Sequence, residues 1–192
     1  MSSVYDRVCA WNAARYEQEY HGKLLSSLLT EEYTEMLDAK TEVEYLDALC
    51  DLQFVALGGM WKLDADPAAL DAHFEANVDA LETVEEFMRS ENVPLFFYIP
   101  TLISLIERVD TKSKIIMLQR LVMICQAAMV DLGFGSAESE QAMLIVCDSN
   151  DSKSIQKTDA HVKANKDKGP FFVAPEPRLQ ALLDSREVKD VH

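Results

Sequence analysis

Residues 24–61 read LLSSLLTEEYTEMLDAKTEVEYLDALCDLQFVALGGMW, and the spacing of the acids within this stretch decides the fold. At about 100° per residue, Glu31, Glu32 and Glu35 share roughly a 100° arc of one helix, and Glu44, Asp47 and Asp51 roughly 60° of the next. Leu24 and Leu28 lead into Glu31 and Glu35 at the spacing i, i+4, i+7, i+11, so the carboxylates continue an apolar stripe that should face other helices. Asp47 and Asp51 run into Phe54, Gly58 and Trp61 by the same rule. Acids thus stand where leucines are expected. Two carboxylates about 6 Å apart repel by roughly 3 kcal/mol at an effective dielectric near 20, and burial adds to the cost of keeping them ionised. A divalent cation or a shared proton relieves both. An oxygen-only donor set with no paired His or Cys suits Mg²⁺ or Mn²⁺ better than zinc. The alternative is a solvated acidic surface, and the apolar stripes on both helices weigh against it.

The chain has 192 residues, enough for one domain with a real core or one domain carrying an insertion. It is 48% hydrophobic with only 6 Gly and 6 Pro, a composition that predicts an ordered, helical, soluble protein. With 33 Asp and Glu against 18 Lys and Arg, the net charge is −15, which excludes tracking of a nucleic-acid polymer. A small polyanion carried with metal ions is compatible with that charge, because the cations reverse the local potential. Cys9, Cys50, Cys125 and Cys147 form no CxxC pair and have no His at zinc-ligand spacing, so a reducing cytoplasm is the expected location. No segment resembles a signal peptide, and the apolar stretches read as shorter than the roughly 20 residues of a membrane span.

The patterning predicts helices over about 3–20, 23–39 and 42–63, with His21-Gly22 interrupting the first pair. The short Lys40-Thr41 link makes the second and third helices antiparallel neighbours, with their acidic faces opposed. One or two amphipathic helices are expected over 68–89, a long helix over 112–131, another over 138–147, and a short one from Pro175 to Leu183. Residues 149–168 carry Lys153, Lys157, Lys163, Lys166 and Lys168 and read as a polar loop, the one cationic stretch available to phosphate groups. No Walker loop, GxGxxG turn or nucleophile elbow is present. His21, His73, His161 and His192 have no partners at ligand spacing.

Three elements carry a resemblance. Glu31-Glu32-Tyr33-Thr34-Glu35 matches an EExxE motif, and Asp47-Ala-Leu-Cys-Asp51-Leu-Gln-Phe-Val-Ala-Leu-Gly58 looks like a second acidic element with its apolar run. Ser149-Asn150-Asp151-Ser152-Lys153, followed by Lys168-Gly-Pro-Phe-Phe and Pro175, is similar to an SN-x-SK loop with its K-G…P continuation. In this order they resemble the all-α nucleotide pyrophosphatases of the MazG-like and phosphoribosyl-ATP-pyrophosphohydrolase-like group, which has viral members acting on dGTP or other deoxynucleotides.

The resemblance implies an all-α, four-helix-type MazG-like bundle in a single domain over 1–192, oligomeric as a homodimer or homotetramer. Residues about 64–112 would be inserted helices, and about 148–175 a loop that contacts phosphate. It implies hydrolysis of a nucleoside triphosphate to monophosphate and pyrophosphate with two or three Mg²⁺ or Mn²⁺ ions. Glu31 is the expected general base, and Glu32, Glu35, Asp47 and Asp51 the expected metal ligands. Asp47 stands four residues before Asp51 where many members have Glu at three, so Glu44 competes with it. Trp11 and Asn12 are expected at the base, though Trp11 also fits a core aromatic, and Asn150, Lys153 and Lys168 at the phosphates. The substrate expected is dGTP, GTP or another purine deoxynucleotide. Hydrolysis of dUTP or phosphoribosyl-ATP is the alternative within the group, and a non-enzymatic acidic module binding a basic partner is the alternative outside it. No nucleic-acid polymer or membrane partner is expected, and the location is the cytoplasm, of the host if the protein is viral.

Overall fold

The computed structural model describes residues 2–66, 95–154 and 168–186. Among these residues there are seven α-helices and no β-strand: α1 Ser2–Arg15, α2 Gly22–Asp38, α3 Glu42–Lys62, α4 Ile99–Ile106, α5 Thr111–Asp131, α6 Ser136–Ser152 and α7 Glu176–Ser185. A 3₁₀ turn, Leu95–Tyr98, leads into α4. The helices expected over 68–89 and most of the expected lysine-bearing loop lie outside the described residues.

The central element is α3, which packs against α1, α2, α5, α6 and α7. Its sequence dictates this: from Leu46 to Met60 it buries Leu46, Leu49, Leu52, Phe54, Leu57 and Met60 on different sides, the signature of a helix with no solvent face. It starts at a capping box, in which Thr41 Oγ1 accepts from Glu44 N at 3.3 Å and Glu44 Oε2 accepts from Thr41 N at 3.2 Å. Gly59 lets its neighbours close in, since a Cβ there would lie 2.9 Å from Leu25 Cδ2 and 3.2 Å from Leu118 Cδ1. On this helix α2 and α5 pack from separate sides, and α4 bridges them.

Three expectations are corrected. The first helix ends at Arg15 rather than near Tyr20. Residues 16–21 form a link whose carbonyls are held by the end of α3, with Lys62 Nζ donating to Glu17 O at 3.0 Å and Glu19 O at 3.3 Å. The helix expected to stop at Cys147 runs to Ser152, so Ser149, Asn150, Asp151 and Ser152 are its last turn and not a loop. Arg7 of α1 pairs with Asp148 at 2.8 Å and with Asp151, and Arg178 of α7 pairs with Asp148 at 2.6 Å, which ties that polar turn to its neighbours. Finally, α5 is by length and composition sufficient to cross a membrane, with 21 residues and a mean hydropathy of 1.4 over an 18-residue stretch, contrary to the expected shortness of the apolar stretches. In this fold it places Leu118, Leu121, Val122, Cys125 and Met129 in the core, packed along α3.

Because α3 is enclosed on all sides, truncation within it leaves a cavity that no neighbour can fill by simple collapse. Leu52→Ala, at a fully buried position, is expected to lower unfolding free energy by about 2–5 kcal/mol, read from urea denaturation. A loss below about 1 kcal/mol would contradict the central placing of α3.

Candidate active site

The pairing of α2 with α3 leaves the acids on both sides of one seam. The buried stripe of α2 is Leu25, Leu29, Glu32 and Met36, one residue on from the stripe expected through Leu24, Leu28, Glu31 and Glu35. Glu32 is therefore the enclosed acid at 4% exposure, while Glu31 is half-buried and Glu35 exposed. On α3 the expected stripe is present: Asp47 and Asp51 are half-buried and Phe54 and Gly58 buried.

Two cavities open along the seam. The first, of about 140 Å³, lies between α1, α2, α3 and the end of α6, and its lining includes Trp11, Asn12, Arg15, Tyr16, Glu32, Asp51, Phe54, Gly58, Lys62, Asn150 and Lys153. That is below the roughly 300–1,000 Å³ of a pocket that encloses a whole drug-sized ligand, so it suits one ring of a larger molecule. Its aromatic wall is Trp11, set edge-on to Phe54 at 5.1 Å and 6.0 Å from Tyr16. Asn12, 5% exposed, donates from Nδ2 to Val8 O at 2.8 Å. It rests against Gly58, where a Cβ would come within 3.0 Å of that nitrogen. Lys153 Nζ donates to Asn150 Oδ1 at 2.6 Å.

The second cavity is a wider acidic groove of about 610 Å³, lined by Glu31, Glu35, Asp38, Glu44, Asp47 and Glu176 together with Lys40. Asp47 lines the groove and interacts electrostatically with Asp51 and Lys153 of the first cavity. Burial foremost, together with Asp51, Glu176 and Glu35, pushes its carboxyl up to about 7 against the opposing charge of Lys153. Its Oδ1 is enclosed with no hydrogen-bond partner among the described residues. Glu44, by contrast, accepts from Lys40 N at 2.7 Å as well as from Thr41 N, and these contacts hold its carboxyl below the usual range. Of the two competing positions, Asp47 faces the buried seam and Glu44 serves as a helix cap.

An all-oxygen donor set with an enclosed carboxylate oxygen fits a hard divalent cation in chemistry. Among the described residues, however, no three His, Cys, Asp or Glu side chains converge closely enough to hold one ion. The carboxylates are gathered on facing turns rather than closed into a ligand cage.

Of the expected site residues, Trp11, Asn12, Glu32, Asp51, Asn150 and Lys153 meet in the first cavity, and Glu31, Glu35, Glu44 and Asp47 in the groove. Lys168 meets neither, lying over the Phe172 ring at 4.8 Å. Sequence reasoning missed Arg15, Tyr16, Lys62 and Glu176. Arg15 stands one helical turn from Trp11, a readable i+4 relation, whereas Glu176 comes from a distant helix and carries no local signal.

Residues 5–77 match the family model of phosphoribosyl-ATP pyrophosphohydrolase. That stretch is thus similar to a member of the all-α MazG-like nucleoside triphosphate pyrophosphatase superfamily, and the all-α architecture of the described residues is consistent with that fold. The match supports a pyrophosphohydrolase type of activity. No curated protein and no solved structure matches the chain.

The raised Asp47 carboxyl fixes a sign for pH dependence. Its folded value, about 7, lies above the ordinary 3.8 of an aspartate, so the folded state holds the proton more tightly and its contribution to stability falls as pH rises from about 4 to about 7. In chelator, Asp47→Asn is expected to exceed wild type in stability at pH 8 by about 1–3 kcal/mol after solvent screening, the difference vanishing near pH 4. Denaturant melts across that range check it, and a difference independent of pH would overturn the assignment.

Proposed function

We propose that the chain is a metal-dependent nucleoside triphosphate pyrophosphohydrolase that cleaves the α–β phosphoanhydride bond, releasing monophosphate and pyrophosphate. One observation carries this reading: Glu32 and Asp51 of the acidic seam line the same cavity as Trp11, Asn12, Asn150 and Lys153. A purine deoxynucleotide or GTP, with dGTP foremost, is the proposed substrate. The aromatic wall and Asn12 would receive the base, with the triphosphate running over Lys153 and Asn150 toward the groove. The family match favours phosphoribosyl-ATP as a second substrate reading.

Glu32, Glu35, Asp47 and Asp51 would hold two or three Mg²⁺ or Mn²⁺ ions, whose charge would offset that of the phosphates and acidify a bound water. Lys153 would add a positive charge beside the phosphates, and Asn150, accepting from Lys153 Nζ, fixes where that charge lies. Glu31, half-buried in the groove wall, would accept the proton of the attacking water. The enclosed apolar side formed by Leu24, Leu25, Leu28 and Val55 would keep bulk water from the bound ring. A homodimer or homotetramer in a reducing cytoplasm completes the proposal, in keeping with four free cysteines.

The test is a panel of ribo- and deoxynucleoside triphosphates, with phosphoribosyl-ATP, in Mg²⁺ or Mn²⁺. Pyrophosphate release is the expected result, and orthophosphate release or inactivity throughout would overturn it. Mg²⁺ or Mn²⁺ alone should raise the wild-type Tm in a concentration-dependent way, and Glu32→Gln should blunt the rise. Absence of divalent-ion binding by calorimetry at millimolar concentration, with and without nucleotide, would remove the metal role.

A further inference from the structure

The last turn of α6 carries Asn150 and ends at Lys153, yet no glycine follows to close it in the usual left-handed cap. Its terminal carbonyls are instead met from α1. Trp11 Nε1 donates to Asn150 O at 2.8 Å, and Arg15 Nη2 donates to Lys153 O at 3.0 Å. Arg15 lies 4.4 Å over the Trp11 ring and returns a second bond, at 3.3 Å, to Trp11 O. The guanidinium is thereby held by a ring face and two carbonyls, and the residue is only 4% exposed.

A buried cation carries a desolvation cost, and burial does pull the Arg15 guanidinium down. Among the described residues no carboxylate bonds it, although the charge of Asp151 favours the cation, and what its donors meet is the negative end of a helix. We propose that Arg15, acting with Trp11, is a positioning residue for Lys153: it supplies the C-cap of α6 in trans and so fixes where that helix stops and where the Lys153 side chain lies in the first cavity. The inference rests on the proposed phosphate role of Lys153. It gives Trp11 a task separate from contact with a base, since its ring nitrogen is committed to α6. Lys153 acts on Asp47 electrostatically, so a displaced Lys153 would lose its effect on both the acid and the substrate.

Arg7 provides an internal control. It also joins α1 to α6, through Asp148 and Asp151, without touching Asn150 or Lys153. The experiment compares Arg15→Met, Lys153→Ala, the double variant and Arg7→Met in the full chain, by steady-state kinetics on the best nucleotide and by amide hydrogen exchange. Arg15→Met should raise KM about tenfold with kcat changed by less than about threefold, as loss of one charge-assisted contact implies. In the Lys153→Ala background it should raise KM by less than about threefold, only what the Arg15 charge contributes on its own, because both changes otherwise remove one function. Arg7→Met should lower Tm with KM unchanged. Exchange at residues 150–153 should quicken in Arg15→Met while amides of α3 keep their protection. Equal multiplication of KM in both backgrounds overturns the positioning role, and unchanged exchange at 150–153 overturns the cap. A wild type inactive on every nucleotide instead overturns the proposed function and the phosphate role with it, and exchange still decides the cap.

Discussion

The structure depends on how much charge the α2–α3 seam can hold. α3 is buried on all sides, so the turns bearing Asp47 and Asp51 have no route to solvent except along the face they share with α2. Glu32 and Glu35 come from that facing helix. The cost is visible in Asp47, whose carboxyl is raised to about 7 by burial and then by the neighbouring acids, although Lys153 opposes the shift. A sequence selected for stability alone would place leucine at such sites, as the flanking turns do at Leu46, Leu49 and Leu52. Retaining carboxylates there costs stability in the free protein, the pattern expected where local rules yield to function.

The surrounding fold limits that cost by placing cations on other helices. Arg7 and Arg178 neutralise Asp148, whose carboxyl they hold below the usual range, so α6 can approach α1 and α7 without adding to the repulsion. Arg15 and Lys62 bond carbonyls instead of acids. Each remains cationic at the first cavity while also fixing backbone, Arg15 at the end of α6 and Lys62 in the link between α1 and α2. The same side chains that hold the cavity in shape therefore set its electrostatic character.

Much of this was legible in the sequence. The lengths of α2 and α3, their antiparallel pairing and the inward acids all follow from spacing. The stripe of α2 was off by one residue for an identifiable reason: Leu24-Leu25 and Leu28-Leu29 are adjacent pairs, so 24-28-31-35 and 25-29-32-36 are equally apolar at their start. Only packing against α3, where Leu25 meets Gly59, selects the second. The last turn of α6 was unreadable because Ser-Asn-Asp-Ser has loop composition and its stabilising partners are distant. Arg7 lies 141 residues from Asp148, and Arg15 lies 138 from Lys153. Spacing rules report neighbours within a helix, and contacts of that separation leave no trace in them.

The two cavities differ in sign, and this has a thermodynamic consequence. Arg15, Lys62 and Lys153 accompany Glu32 and Asp51 in the first, whereas six acids and the single Lys40 line the groove. On a chain of net charge −15, of these two cavities the first offers a polyanion the more favourable local field, and the groove a cation. Asp47 of the groove and Lys153 of the first cavity interact electrostatically, so a cation bound in the groove would lower the field opposing an anion in the first cavity. The anion would in turn strengthen retention of the cation. Such coupling is reciprocal in free energy, and each charge at about 6 Å contributes on the order of 3 kcal/mol at an effective dielectric near 20. A carboxylate seam that destabilises the empty protein would, by the same interaction, bind cation and polyanion more tightly together than singly.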